Sequence, residues 1–458
     1  MTEDKRLNQN RVMRQIRLNA FDMATPGHIQ QGLWTHPRDN SHAYNTLTHW
    51  TDLARTLERG LFDGLFLADI LGIYDVHGAS PDAALHHAVQ VPLLDPLLLV
   101  PAMAAVTTHL GFGITANLAY EPPYLFARRM STLDHLTAGR AGWNIVTGYL
   151  DSAARALGYT EQMRHDDRYD LADEYLEACY ALWEGSWAEG AARRDKTTGL
   201  FADPAKIRRI EHHGRQFDIS AIHLCEPSPQ RTPVLYQAGS SPRGQKFAAR
   251  HAECVFVNGT TPAHLAPLVK SLRAQAAPRR LLVFAGATVV TAPTEAGARA
   301  LLAEYAHHAQ GEAALVHASA SLGIDLAAFA DDEPIDASAS NAIRSNAAAM
   351  NALLGPGWTR RDLLAYATLG SRQPPIVGSP GQVADTLEAW MRDADLDGFN
   401  LSRTVMPEGL TAFIDLVIPI LQERGLYKTA YVPGSLREKL LGHGPLLPAT
   451  HLAAAYRT

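Results

Sequence analysis

Residues 110–147 read LGFGITANLAYEPPYLFARRMSTLDHLTAGRAGWNIVT. A β-rich run, Leu110–Asn117, ends in polar residues. A helical stretch, Tyr124–Thr137, follows, and then a second apolar run, Arg140–Thr147. Strand, helix, strand in this order is the parallel βαβ unit. The second run ends on Asn144 and Thr147, an amide and a hydroxyl where a buried strand has no need of either. Polar groups at the end of an apolar strand point to hydrogen bonds being made there.

The same alternation extends both ways along the chain. Strands are read at Arg14–Met23, Phe62–Asp69, Thr232–Gly239, Glu253–Gly259, Arg280–Val290 and Leu396–Arg403. Helices are read at Leu47–Gly60, Asp95–His109, Arg168–Gly185, Arg243–Ala252, about Thr261–Ala277 and Gly409–Gly425. With the opening pair this makes eight strands, nearly continuous in apolar residues, which suits a closed (β/α)8 TIM barrel. The rival is a doubly wound open sheet. It announces a nucleotide site with GxGxxG after its first strand, and the sequence has none there.

Length and composition agree. The 458 residues, 47% of them hydrophobic, suit either a few modest domains or one large barrel with insertions. The alternation favours a single barrel domain over residues 1–458. Two stretches interrupt the repeat, at about 185–231 and 294–380, the second alanine-rich and mostly helical. In a barrel such insertions commonly wall the site. Residues 427–458 read as an extension lying on the barrel or on a neighbouring subunit.

Several function classes lose support. The net charge is −6 with no basic stripe, which argues against nucleic acid. The N-terminus lacks the apolar core of a signal peptide, and the most apolar window is broken by Asp95 and prolines, so neither secretion nor a membrane span is expected. Cys179, Cys225 and Cys254 are far apart, which fits a reducing cytoplasm. No HExxH or paired CxxC is present, and the three adjacent His pairs point apart on most backbones, so no metal is expected. Cys254 sits in an apolar strand and reads as core. Glycoside hydrolysis needs two acids at strand ends, and only Asp69 is clearly placed.

In a barrel the site lies at the C-terminal strand ends. Asp69, Thr115, Asn117, Asn144, Thr147, Gln237, Ser240, Ser241, Asn258, Asn400 and Ser402 fall there. Such mostly neutral groups suit an uncharged heterocycle. Each taken alone is also an ordinary cap or turn residue. QAGSSPRGQKF (237–247) supports two readings equally, an anion held at a helix start or a plain N-cap with proline in the first turn. In RHDDRYD (164–170), His165 and Tyr169 share a helical face. They either reach a ligand, or His165 joins an acidic cap and Tyr169 packs on the barrel.

LFLADILGIYD, YEPPYLFARRMSTLDHLTAGRAGWNIVT, SAARALG, HDDRYDLADEYLE, FADPAKI, PVLYQAGSSPRG and DGFNL occur in this order. From about Arg14 to beyond Tyr427 the chain resembles the flavin-dependent monooxygenases grouped with nitrilotriacetate monooxygenase. That group includes the pristinamycin, dibenzothiophene-sulfone and long-chain alkane enzymes, within the bacterial-luciferase-like superfamily. The resemblance implies a homodimer or homotetramer using reduced FMN supplied by a separate NAD(P)H-dependent flavin reductase. It implies that one oxygen atom of O2 passes to a small organic substrate through a C4a-(hydro)peroxyflavin. It places Asp69, Thr115, Asn117 and Asn144 about the flavin ring, His165 and Tyr169 at the ribityl-phosphate end, and Ser240 or Ser241 on the phosphate. No catalytic acid or base is assigned, since His165, suitable by type, belongs to the phosphate end. Two family alternatives stand beside this reading: a lyase that cleaves riboflavin to lumichrome, and a flavin- or deazaflavin-dependent hydride transfer. Asn117-Leu118-Ala119 replaces a hydroxyl-rich run of the family, and Gly148 stands where Ser is frequent. Both departures reshape the pocket above the flavin and leave the substrate open.

Overall fold

Eight parallel strands form the centre of the molecule: β1 (Arg17–Met23), β2 (Gly64–Ala68), β3 (Gly111–Asn117), β4 (Ala141–Val146), β5 (Val234–Gln237), β6 (Cys254–Val257), β7 (Leu282–Thr291) and β8 (Gly398–Ser402). The structure is a computed structural model and describes residues 14–239, 241–336, 350, 351, 353–367, 369 and 374–457. Each strand pairs with the next, and β8 returns to β1 in the register Arg17↔Gly398 to Phe21↔Ser402. The sheet is therefore closed, a (β/α)8 barrel.

The period of two decides which side chains fill it. On β4, Trp143 points outward and packs against Phe126, ring centroids 4.5 Å apart, while its indole N–H donates to the Ala116 carbonyl. Gly142 and Asn144, on the alternate positions, face the lumen. Aromatic rings plug that lumen: Phe66 meets Phe256 edge-on at 4.2 Å, and Phe256 stacks on Tyr236 at 5.5 Å. Glycine on neighbouring strands makes the room. A Cβ at Gly113 would stand 2.6 Å from the Phe66 ring, and one at Gly142 2.5 Å from the Tyr236 ring.

The outer helices begin where proline and a capping side chain direct. Pro96, Pro123, Pro242, Pro262 and Pro380 each open a helix, and Asp95, Ser241 and Thr261 cap three of those starts. The helix expected from Arg168 begins at His165, runs to Tyr180 and continues as a π turn to Gly185.

Residues 185–231 fold into two antiparallel hairpins, Ala192–Asp195 with Leu200–Ala202 and Ile210–His213 with Asp218–Ala221. They lead back to the barrel's foot, where the Gln230 amide donates to the Ala141 carbonyl at the start of β4. The second insertion contains helices Glu295–His308, Gly311–Leu322 and Arg360–Tyr366, and a short strand, Ile376–Gly378, that pairs in parallel with the end of β7.

The C-terminal segment does more than lie on the surface. Its helix Leu436–Leu441 places Leu436, Leu440 and Leu441 among the aromatic residues of the lumen. Arg437 is fully buried beside Glu253, 2.7 and 2.9 Å away, and also donates to the carbonyls of Thr232 and Pro233. Among the described residues, no helix is long and apolar enough to cross a membrane.

Candidate functional site

A cavity of about 360 Å³ opens at the C-terminal ends of the strands. Asp69, Thr115, Asn117, Asn144, His165, Tyr169 and Ser241 all line it. Ser240 lies outside the described residues. Of the other polar strand ends, Thr147, Gln237, Asn258, Asn400 and Ser402 line the same cavity.

β3 and β4 set Thr115 opposite Asn144 in register. The Asn144 amide nitrogen donates to Thr115 Oγ1 at 2.9 Å, while its Oδ1 is buried and has no hydrogen-bond partner. A buried acceptor left unpaired costs about 1–3 kcal/mol, so this oxygen is set for a donor from outside the protein.

Burial pushes the Asp69 carboxyl up to about 8, helped by the charge of Asp95 and opposed by the backbone N–H of Ile70. At neutral pH it is mostly protonated, a donor rather than a charge.

The two departures from the resembled family prove to be coupled. Asn117 Oδ1 accepts from the Ala119 N–H at 2.8 Å, holding the turn after β3. Gly148 sits at φ +74°, and a Cβ there would stand 2.6 Å from the Asn117 amide nitrogen. Glycine at 148 makes room for asparagine at 117, and the left-handed backbone favours it again.

At the other end of the cavity the His165–Tyr180 helix meets the Pro242–His251 helix. His165 Nε2 lies 3.4 Å from Ser241 Oγ, and the Gln237 amide donates to the Tyr169 hydroxyl at 3.5 Å. Burial raises the Tyr169 phenol above its ordinary range. The Arg243 guanidinium lies over its ring at 5.4 Å, anchored by Asp170 and Asp173. Ser241 accepts from the Gly244 N–H at 3.1 Å. A Cβ at Gly239 would be 2.5 Å from the Tyr169 hydroxyl and one at Gly244 2.8 Å from it, so glycine lets backbone and phenol come together. The alternatives left open by the sequence are not exclusive. Ser241 is a helix cap and lines the cavity, and His165 contacts Asp166 at 2.6 Å while its ring also borders the cavity.

Sequence reasoning missed Arg168, Tyr74, Gln90 and His28 on the wall. Arg168 donates to the Gly148 carbonyl and lies one turn beyond His165, so its spacing was a usable signal. Tyr74 donates to Gln90 Oε1 at 2.6 Å and pairs with the Tyr149 hydroxyl at 2.8 Å. Tyr74, Gln90 and His28 sit in loops without periodicity, and nothing local marks them. The expectation that the insertions wall the cavity is corrected: among the described residues, none from 185–231 or 294–380 lines it. The first insertion joins a helix to the start of a strand and so belongs to the barrel's foot, opposite the site. Helix Gly311–Leu322 packs behind the wall, with Ala313, Val316 and Ala320 in the cluster of Tyr74 and Leu150.

A family model described as luciferase-like monooxygenase matches residues 23–397. The dimethyl-sulfide monooxygenase of Hyphomicrobium sulfonivorans is 45% identical over 453 residues, covering 97% of this chain and 94% of its own. The long-chain alkane monooxygenase of Geobacillus thermodenitrificans is 45% identical over 452 residues, covering 97% and 99%. A crystal structure of a riboflavin lyase, with modified FMN and its substrate riboflavin, superposes with a TM-score of 0.91 at 38% identity, covering 97% of this chain and 100% of that one. The dibenzothiophene-sulfone, nitrilotriacetate and pristinamycin enzymes named by the motifs are also relatives.

Proposed function

The chain belongs to the luciferase-like monooxygenase family and is a flavin-dependent monooxygenase; from this premise we propose that it takes reduced FMN from a separate NAD(P)H-dependent reductase and transfers one oxygen atom of O2 to a small organic molecule. The observation that carries the reading is the meeting, in one cavity, of neutral hydrogen-bonding groups with a glycine-lined helix start.

The residues fit a flavin mononucleotide. The unpaired Asn144 oxygen suits a ring N–H. Ser241, at the start of the Pro242–His251 helix, suits a phosphate. Asn144, Thr115, Asn117 and Asp69 would hold the ring. His165, Tyr169 and Ser241, with Ser240, would hold the ribityl phosphate. When bound, the reduced flavin supplies the two electrons that activate O2. The protein binds, orients and excludes water. Protonated Asp69 offers a hydrogen bond without placing an anion beside an electron-rich ring. Phe66 and Phe256 meet edge-on in the lumen and line the cavity, placing apolar rings between it and the barrel's foot. Assembly into a homodimer or homotetramer is part of the proposal on the family resemblance alone.

The test is direct. Purified protein should bind FMN and consume O2 only when both a flavin reductase and a substrate are present, and one atom of ¹⁸O2 should appear in the product. Dimethyl sulfide and alkanes are the first substrates to try, because relatives are named for them. Failure to bind either redox form of FMN defeats the reading. Lumichrome formed from riboflavin would replace it with the lyase.

A further inference from the structure

The first βα loop holds an unusual backbone. The Gln30 N–H donates to the His28 carbonyl at 2.7 Å, closing a three-residue turn about Ile29, whose φ is +60°. Turns of this hand are rare and strained, and a β-branched residue pays most for the left-handed region. Ile29 is nonetheless on the cavity wall, beside His28. Strain of this kind persists only where the surroundings impose it.

The surroundings are identifiable. Arg403, one residue past β8, donates through Nη2 to the carbonyls of Thr25 and Pro26 at 2.8 and 2.6 Å. Its Nε lies 3.2 Å from Asp22 Oδ1, and both side chains are buried. The Gln30 amide donates to the Arg403 carbonyl at 2.6 Å and accepts from Thr288 Oγ1 at 2.9 Å. On the other side, Gly27 pairs with Val89 and accepts from the Gln90 N–H at 3.0 Å. A buried ion pair is weak evidence for stability, because an apolar pair of equal size does as well. Arg403 Nη1 and Asp22 Oδ2 even lack partners. What this pair does that an apolar pair cannot is grip two carbonyls and set the path of the loop.

We propose that Ile29 is a specificity-determining residue that limits the size of the substrate, and that Asp22 and Arg403 are the positioning residues that hold it there. The proposal rests on the flavin reading above. The candidate phosphate end is built by β5 and the His165 helix. Around the closed barrel, β1 stands opposite β5. Ile29 therefore bounds the half of the cavity farthest from the phosphate end, where the apolar part of a substrate would lie.

The experiment uses the full chain loaded with oxidised FMN and a dialkyl sulfide series from dimethyl to dibutyl, with binding followed by the flavin spectrum. In Ile29→Gly, affinity for dibutyl relative to dimethyl sulfide should rise by about tenfold or more, with FMN affinity unchanged. Ile29→Gly should also melt above Ile29→Ala, the reverse of the order at a right-handed position. Arg403→Lys keeps the charge but cannot make all three contacts. It should shift the size ratio in the same direction, and its effect should not add to that of Ile29→Gly. An unchanged ratio overturns the proposal. So does Ile29→Ala melting at or above Ile29→Gly, or strict additivity with Arg403→Lys. A wild type that binds no FMN refutes the flavin reading instead; it shows as a missing flavin signal before any sulfide is added, and the melting order still decides the fate of Ile29.

Discussion

At the scale of single residues, the cavity is tuned by what its groups cannot do alone. Asp69 is kept protonated to about 8 by burial and by Asp95. FMN affinity of the wild type should therefore change as pH rises through about 8, and Asp69→Asn should abolish that step; a fluorescence titration from pH 6 to 9.5 measures both. The stability sign follows from the same shift. The unfolded chain loses this proton near the ordinary carboxylate value and the folded chain only near 8. Stability therefore falls as pH rises between those values, and Asp69→Asn removes the fall. Gly148 and Asn117 give a second prediction. Gly148→Ser meets both a left-handed backbone and the Asn117 amide, and should cost about 1–2 kcal/mol or more in urea unfolding. Asn117→Ser in the same chain should recover the steric part and leave the backbone part.

At the scale of elements, one helix start serves two purposes. Ser241 caps the Pro242–His251 helix and borders the cavity beside His165. Ser241→Ala should lower stability by about 1 kcal/mol through loss of the cap. It should weaken FMN binding but leave riboflavin, which has no phosphate, nearly untouched. Equal losses for both ligands in paired titrations would show that Ser241 acts on the fold alone. Strand–helix alternation and proline-led helix starts are local signals, which is why all eight strands were legible. The hairpins of 185–231 were not, because their strands are half exposed and carry no sustained alternation. Their side of the barrel was legible in principle, since a segment joining a helix to the next strand must sit at the foot.

At the scale of the whole molecule, the foot of the barrel is sealed by the chain's own C-terminal helix. Burial opposes the charge on Glu253, and Arg437 outweighs it, holding the carboxyl below its ordinary range. Arg437→Met leaves Glu253 buried and unpaired, and should lower unfolding stability by about 3–5 kcal/mol, read from the urea midpoint. The contribution of the pair is present above the ordinary carboxylate range and lost as pH falls through the depressed value, so the variant should also flatten the acid limb of the stability curve. By itself the sequence determined the barrel and twelve residues of its cavity, because periodicity, caps and motif spacing act within one βα unit. Only closure of the barrel brought Asn19 to Asn400, 381 residues apart, and with them Arg403 to Asp22 and the loop of Ile29. Those contacts were decided by the tertiary structure, because the pairing of the last strand with the first imposes them and no neighbouring residue records it.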